Sequence, residues 1–209
     1  VAALSVDQVT GMSTQQVAAL TTGQVNQLGA DQVAAMSTAQ VAAIEADDLA
    51  VMTTAQVQAM TTDQVVALGT EQVSKLTSDQ VNAMSTAQVF ALGADVAALS
   101  ENAVDGLTTE QIGGLGSAQL HVLTTAQLAA LTTEQLPSMN ATQIQALSVD
   151  QVGLLSTDQL SSLTASEITA MSSAQIVGMS TAQLRALESQ QIQALETADI
   201  WGMNTSQIS

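Results

Sequence analysis

An eight-residue phrase repeats along the whole chain, and this period constrains the fold more than any other feature. Residues 13–20 read STQQVAAL and residues 37–44 read STAQVAAI. The consensus octet is [S/T]-T-[A/D/E]-Q-[V/I/L]-x-A-[L/M], and Gln occupies its fourth position in 21 of 26 octets. Four of the others carry Asp48, Ala103, Glu167 and Asp199 there. A fixed period of this kind predicts a repeat architecture in which each unit resembles the next.

Neither one continuous helix nor a set of strands suits this period. Eight residues advance an ideal helix by about 800°, so the apolar residues of successive octets would drift by about 80° and form no stripe. The branched residue (V/I/L) and the Leu or Met of each octet lie three apart, which does not match the period of two expected for a strand. The chain is therefore expected to turn once in every octet.

The first four residues of the octet predict where each turn occurs. Ser or Thr followed three residues later by Gln is the capping-box pattern of a helix N-terminus. Acidic residues, such as Asp7 and Glu71, often stand one place before the Gln, in the first helical turn, where a negative charge is favourable. With a new start every eight residues, each helix is limited to about six residues.

Helices this short are not stable alone, because isolated helices need about 12 residues or more to be even marginal. Stacking on neighbouring units is needed to offset the entropy of ordering each octet, as in solenoid proteins. We therefore predict an all-α fold, a solenoid or superhelix of short capped helices with one helix in each octet.

A helical wheel of one octet predicts which side chains face inward. The branched residue, the small residue at position seven and the final Leu or Met fall on one apolar arc, and the residue after the branched one (the x position) points away. The x position holds Phe90, His121, Arg185 and Trp201, which we predict as outward-facing contact residues. It also holds Pro137, which removes a backbone hydrogen bond and predicts a shortened or kinked unit.

The identity of the branched residue changes along the chain. It is mostly Val over residues 1–92 and mostly Ile or Leu over residues 107–209. Between these arrays, residues 93–106 lack one residue of the period and form an irregular hitch. We expect two arrays of one architecture on either side of this hitch.

Composition excludes several functional classes. The net charge is −17, and Lys75 and Arg185 are the only basic side chains, which argues against nucleic-acid binding. There is no apolar run of about 20 residues, so no membrane insertion is expected. His121 is the only histidine and Cys is absent, which argues against a catalytic base, a metal site or a cofactor site. The sequence predicts no enzyme, and weak binding of divalent cations by the carboxylates is the alternative to their role at helix N-termini.

The octets, for example LTTEQ followed by a branched residue and x-A-L, resemble the tandem repeats of very large bacterial exoproteins that carry adhesin or haem-utilisation labels. The resemblance covers essentially the whole chain and implies a secreted or cell-surface location in a bacterium. Because the octets run through both ends, we read the chain as processed or as an excerpt of a longer array. Uncovered repeat ends favour contact with further copies, head-to-tail or side by side.

Two functional hypotheses follow from these observations. The first is a structural array outside a bacterial cell, acting as a stalk, a spacer or a self-assembling filament. The second is a binding module of a surface adhesin that holds a protein, a glycan or haem through its outer face. An acidic DNA mimic or an ice-binding threonine array would leave the capping spacing of Ser/Thr and Gln unexplained.

Overall fold

The computed structural model describes residues 3–208, and these residues are α-helical throughout. They hold 24 α-helices and two 3₁₀ helices, and no strand is found in this part of the chain. The prediction of an all-α fold with one short helix in each octet is confirmed. The α-helices are α1 (Val6–Thr10), α2 (Thr14–Ala18), α3 (Thr22–Asn26), α4 (Ala30–Ala35), α5 (Thr38–Ala42), α6 (Ala46–Ala50), α7 (Thr54–Ala59), α8 (Thr62–Val66), α9 (Thr70–Ser74), α10 (Ser78–Ala83), α11 (Thr86–Ala91), α12 (Glu101–Asp105), α13 (Thr109–Gly113), α14 (Ser117–Val122), α15 (Thr125–Ala130), α16 (Ala141–Ala146), α17 (Val149–Gly153), α18 (Thr157–Ser162), α19 (Ala165–Ala170), α20 (Ser173–Val177), α21 (Thr181–Ala186), α22 (Ser189–Gln193), α23 (Thr197–Gly202) and α24 (Thr205–Ile208). The 3₁₀ helices cover Gly93–Ala98 and Leu136–Ser138.

Most helices begin at the capping box that the sequence predicts, and α6 and α12, whose octets carry Asp48 and Ala103 in place of Gln, begin without one. At α2, the Ser13 N–H donates to Gln16 Oε1 at 2.8 Å, and the Gln16 N–H donates to Ser13 Oγ at 3.2 Å. Both bonds need an extended backbone at the cap, and Ser13 has a ψ of 160°. Where Gly29 is the cap, only the bond from its N–H to Gln32 Oε1 remains. The side chains thus fix the corner between successive helices.

Each helix also ends for a local reason. The final residue of the octet leaves the helical region, as at Met36 with a ψ of 146°, and the next cap follows directly. Its N–H still donates to the carbonyl of the branched residue, as from Met36 to Val33 at 3.2 Å. This closing bond spans three residues, so the last turn is tighter than an α-helical turn.

The helices wind into a solenoid within each of two compact units, which divide between Leu107 and Thr108. In the first unit, α1 packs on α4, α4 on α7 and α7 on α10, so that each helix meets the third helix further along the chain. In the second unit, α16 packs on α19 and α19 on α22 in the same way. The assignment of residues 1–92, 93–106 and 107–209 as separate regions stays a prediction.

The core consists of the branched residue and the final Leu or Met of the octets. Val33 and Met36 in the first unit and Ile144 and Leu147 in the second are all buried. The small residue at position seven was expected on the same face, but it is half-buried or exposed, as at Ala35. The Gln takes its place inside the solenoid, and that part of the helical-wheel prediction is wrong.

Two octets depart from this pattern. The chain forms a 3₁₀ helix at Gly93–Ala98, where one residue and the Gln are missing. The octet of Pro137 also lacks an α-helix and contains the 3₁₀ helix Leu136–Ser138. The predicted disruption at Pro137 is confirmed, because its ring nitrogen has no proton to donate to a carbonyl one turn back.

Candidate functional site

The four residues predicted as outward contacts all lie on the surface. Phe90 is 57% exposed and Trp201 is 84% exposed, and the side chains of His121 and Arg185 are exposed as well. In the second unit, His121, Arg185 and Trp201 lie on α14, α21 and α23. These helices pack mainly on α16, α18 and α20, respectively, and not on one another. The structure does not pack these helices on one another as a shared site, and a contact role for their side chains stays a prediction.

No metal centre is assembled in the part of the chain that the structure describes. Among residues 3–208, no group of three or more His, Cys, Asp or Glu side chains is placed to hold an ion. The same residues contain no helix with the length and apolarity required to cross a bilayer.

An open groove in the first unit is lined by carboxylates, and one of them, Asp47, forms an ion pair with Lys75. Glu45, Asp47 and Glu71 border a cavity of about 530 Å³ between the octets of α6 and α9. Lys75 Nζ lies 2.7 Å from Asp47 Oδ1, and this hydrogen bond raises the pKa of Lys75, aided by the charges of Asp47 and Glu71. The pair crosses from one turn of the solenoid to the next and is exposed to solvent, so its contribution is expected to be small.

The glutamines are the polar side chains that the fold concentrates inside the solenoid. Gln64 is 2% exposed, and its Oε1 accepts the Thr61 N–H at 2.8 Å in the capping box. Its Nε2 donates to the carbonyls of Val33 at 2.8 Å and Met36 at 2.7 Å in the preceding turn. One amide group therefore caps its own helix and also bonds the turn before it.

The carbonyls of Val33 and Met36 need an external donor because of their position in the helix. They lie at the end of a short helix, where the last four carbonyls lack the usual donor one turn further on. The Val33 carbonyl also accepts the Met36 N–H at 3.2 Å, so the Gln64 amide supplies its second bond. A buried carbonyl without a partner costs about 1–3 kcal/mol. Each Gln amide donates to two of them, which lie 31 and 28 residues earlier, or about four and three and a half octets.

The same pattern occurs in both units. In the first, Gln40 Nε2 donates to the carbonyls of Val9 at 3.0 Å and Met12 at 2.8 Å. In the second, Gln175 Nε2 donates to those of Ile144 at 2.9 Å and Leu147 at 2.8 Å. We call this repeated set of Nε2 bonds the glutamine ladder. It accounts for the burial of amide groups that would otherwise be costly to remove from water.

The ladder is interrupted where another residue replaces the Gln. Glu167 is buried and keeps the whole capping box, because its Oε2 accepts the Thr164 N–H at 2.5 Å and its own N–H donates to Thr164 Oγ1 at 3.3 Å. A carboxylate has no N–H to donate, so it cannot supply the amide bonds to Leu136 and Met139, which lie 31 and 28 residues earlier. Ala103 keeps only the bond from its own N–H to Ser100 Oγ.

The ladder is the feature that the capping-box analysis missed. A capping box accepts Glu as readily as Gln, because only a side-chain oxygen is needed. Yet this acidic chain uses Gln in 21 of 26 octets and Glu once, at Glu167. The preference for Gln over Glu indicates that the side-chain N–H group is also used. It could have predicted a second hydrogen bond, donated by Nε2, beside the capping bond accepted by Oε1.

Comparison with known proteins places the repeats in a family. The family model described as the ALTTAQ repeat matches residues 1–30, 41–78, 93–125, 113–140 and 166–197, which together exceed half of the chain. No curated protein matches the chain significantly.

Proposed function

Since this chain belongs to the ALTTAQ repeat family, we propose that it is a structural array, a stalk or spacer on or outside a bacterial cell. The observation that carries the proposal is the glutamine ladder. The same polar bonds join turn to turn in both units, and the polar side chains concentrated in the interior are used for these bonds. A chain of this kind adds turns without changing its cross-section, since each turn presents the same bonds to the next.

The location is tested with an antibody against the 209-residue chain on the source cells. Labelling of intact cells at the same level as permeabilised cells supports an extracellular array. Labelling that needs permeabilisation would contradict that location. A cytoplasmic protein of known concentration is the control for cell integrity.

The structural role is tested by separating the repeat scaffold from its exposed side chains. The variant combines Phe90→Ala, His121→Ala, Arg185→Ala and Trp201→Ala, which leaves the glutamine ladder intact. It is expected to restore fully any surface phenotype that is lost when the chain is removed. Failure to restore it, with normal folding and amount, would favour a binding role over a structural one.

The second candidate, a binding module of a surface adhesin, is supported by the exposure of Trp201. An indole that is 84% exposed offers a large apolar contact to a protein or a glycan. Trp201 is the only tryptophan, so its fluorescence reports on that surface directly. A saturable change in emission on titration with a surface glycan or haem would support this candidate, and unchanged emission would remove those ligands.

A further inference from the structure

Two departures from the octet consensus occur together along the chain. Asn140 and Asn204 occupy the first position of their octets, where the consensus has Ser or Thr. In both octets a hydroxyl residue, Thr142 or Ser206, also occupies the third position, which elsewhere is mostly Ala, Asp or Glu. Only one other octet has a hydroxyl there, at Ser166. Each pair gives the motif Asn-x-Ser/Thr, which reads NAT at residues 140–142 and NTS at residues 204–206.

The fold does not require the hydroxyl of Thr142. The side chain is exposed, and its Oγ1 forms no hydrogen bond with any residue that the structure describes. Thr is a weaker helix former than Ala, and it lacks the negative charge that Asp or Glu brings to the first helical turn. The capping box of this octet is formed by Asn140 and Gln143 alone. The hydroxyl is therefore better explained by recognition from outside the chain.

The two cap asparagines, Asn140 and Asn204, use their side-chain oxygens and leave the nitrogens accessible. Asn140 Oδ1 accepts the Gln143 N–H at 3.1 Å, and Asn204 Oδ1 accepts the Gln207 N–H at 3.2 Å. Both residues are exposed, Asn140 even though α16 packs on both α14 and α19. Neither Nδ2 donates to an atom of residues 3–208. A substituent on Nδ2 leaves the cap bond intact, because the cap needs only the side-chain oxygen.

The other asparagines lack this combination of features. Asn26 Nδ2 donates to the Val51 carbonyl at 2.6 Å and Asn82 Nδ2 to the Gly106 carbonyl at 3.0 Å, so both bond a neighbouring turn. Asn102 is exposed, but no Ser or Thr stands two residues after it. In the described part of the chain, the motif, an exposed amide and an unbonded Nδ2 therefore coincide only at the two cap asparagines.

We propose that the two cap asparagines are acceptors of N-linked sugars. Asn-x-Ser/Thr is the acceptor motif for this modification when the middle residue is not Pro, and it is used on exposed segments of secreted proteins. The middle residues here are Ala141 and Thr205. The donor is a sugar activated as a phosphate ester, and a glycosyltransferase of the source cell catalyses the transfer. Nδ2 forms a bond to C1 of the sugar while the bond from C1 to the phosphate oxygen breaks. The phosphate leaves with that electron pair, and one amide proton passes to a base of the transferase.

This modification goes beyond the proposed structural role. An N-linked sugar is bulky and solubilising, and a neutral sugar adds nothing to the net charge of −17. Because Oδ1 is retained, the modified chain is expected to keep the cap bonds of α16 and α24 and the fold that depends on them.

The first experiment is mass spectrometry of the protein isolated from its source cells. Cleavage after acidic residues releases Asn140 on a peptide between Glu134 and Asp150. This peptide and the one that contains Asn204 are expected to carry the mass of one or more sugars, which fragmentation assigns to Asn. The added mass is expected to survive alkaline β-elimination, which removes sugars from Ser and Thr. Asn102 is the internal control and is expected to be unmodified, because it is exposed without the motif.

A second experiment separates the motif from the cap. Thr142→Ala removes the hydroxyl and keeps the capping box of Asn140 and Gln143, so the sugar at Asn140 is expected to be lost while the sugar at Asn204 remains. Thr142→Ser keeps the motif and is expected to keep the sugar. Ser166→Ala removes a hydroxyl from the same octet position where no Asn precedes it. It is the matched control, and both sugars are expected to remain.

The reverse change uses an octet that already contains half of the motif. Thr164 caps α19, Ser166 follows two residues later, and both are exposed. Thr164→Asn is expected to keep the cap, since Asn is at least as good as Thr at this position. It is also expected to add a third sugar, at residue 164. Circular dichroism checks that the helices are retained.

Sugar-free cap asparagines in the protein from its source cells would overturn the inference. A sugar at Asn140 that persists in Thr142→Ala, or an equal modification of Asn102, would overturn it as well. The outcomes also separate this inference from the proposed function. An unmodified chain that is labelled on intact cells fails this inference alone, whereas a chain with sugars on both cap asparagines that is confined to the cytoplasm fails the proposed location alone.

Discussion

The octets at residues 93–99 and 132–139 both lack an α-helix, but they lose different parts of the regular unit. The Pro137 octet keeps its capping box, with the Thr132 N–H donating to Gln135 Oε1 at 2.8 Å and the Gln135 N–H to Thr132 Oγ1 at 3.1 Å. Its cap residue still follows an extended residue, Leu131, with a ψ of 134°. Only the helix after the corner has changed.

The seven-residue octet has no hydroxyl cap and no Gln, and its corner is different. Leu92 stays helical with a ψ of −21°, and Gly93 follows with a φ of +55°. This is the sole positive φ among residues 3–208. Both octets still bury their branched residue, Val96 and Leu136, completely. The comparison teaches that the loss of the cap, the Gln and one residue together changes the corner, while the helix type inside the octet can change without it.

The largest effect is expected when a regular octet loses its Gln. Gln64→Leu removes the capping bond to Thr61 and the amide bonds to the carbonyls of Val33 and Met36, of which Val33 keeps only its bond from the Met36 N–H. The expected loss in the free energy of unfolding is about 3 kcal/mol. Urea denaturation followed by circular dichroism measures it.

Two matched variants separate the parts of this effect. Gln16→Leu removes a capping box at an exposed Gln that makes no ladder bond within residues 3–208, and should cost only about 1 kcal/mol. Gln64→Glu keeps the box and removes the donor, so its cost should fall between the two. Equal costs for Gln64→Leu and Gln16→Leu would show that the ladder does not stabilise the solenoid.

A smaller loss is expected at the irregular corner formed by Gly93. Gly93→Ala places a side chain on a left-handed residue, although its Cβ would meet no atom within 4 Å. The expected cost is therefore purely conformational, about 1–2 kcal/mol.

Gly23→Ala provides the control for this prediction. Its Cβ also meets nothing within 4 Å, but the residue lies inside α3 with ordinary helical geometry. It should stabilise the chain by up to about 1 kcal/mol, because Ala is the better helix former. Two changes of the same sign in thermal unfolding would contradict the special role of Gly93.

A still smaller effect is expected when the Pro137 octet regains its helix. In Pro137→Ala, the retained box should start an α-helix, and the restored N–H should bond one turn back. The gain is expected to be below about 1 kcal/mol, because the loss of proline also frees the unfolded chain. Hydrogen exchange at residues 137 and 138 measures the new bond, and exchange at the unfolded rate there would argue that the box alone does not start a helix.

Much of this fold follows from short-range sequence patterns. The Ser or Thr and the Gln lie only three residues apart, so the capping box, the length of the helices and the disruption at Pro137 could all be predicted. The winding of the solenoid could not, because the ladder joins residues 28 and 31 apart and nearly identical octets do not indicate which pairs meet. The exposure of Trp201 was likewise predictable from one helical wheel, whereas the burial of Gln64 depends on a neighbouring turn.

The smallest effect concerns a contact between turns that lies outside the ladder. The Lys75–Asp47 pair raises the pKa of Lys75 above its ordinary value of 10.5, so the folded chain holds this proton more tightly than the unfolded chain. Its contribution to stability is therefore fully present below pH 10.5 and is lost as the pH rises through the raised pKa. A double-mutant cycle of Lys75→Met and Asp47→Asn is expected to show a small coupling at pH 8 that fades in high salt and at strongly alkaline pH. The coupling free energy is expected to be much smaller than the loss of unfolding free energy in Gln64→Leu. If the two were equal, the surface ion pair would stabilise the contact between turns as much as the buried ladder does, and the dominance of the ladder would be contradicted.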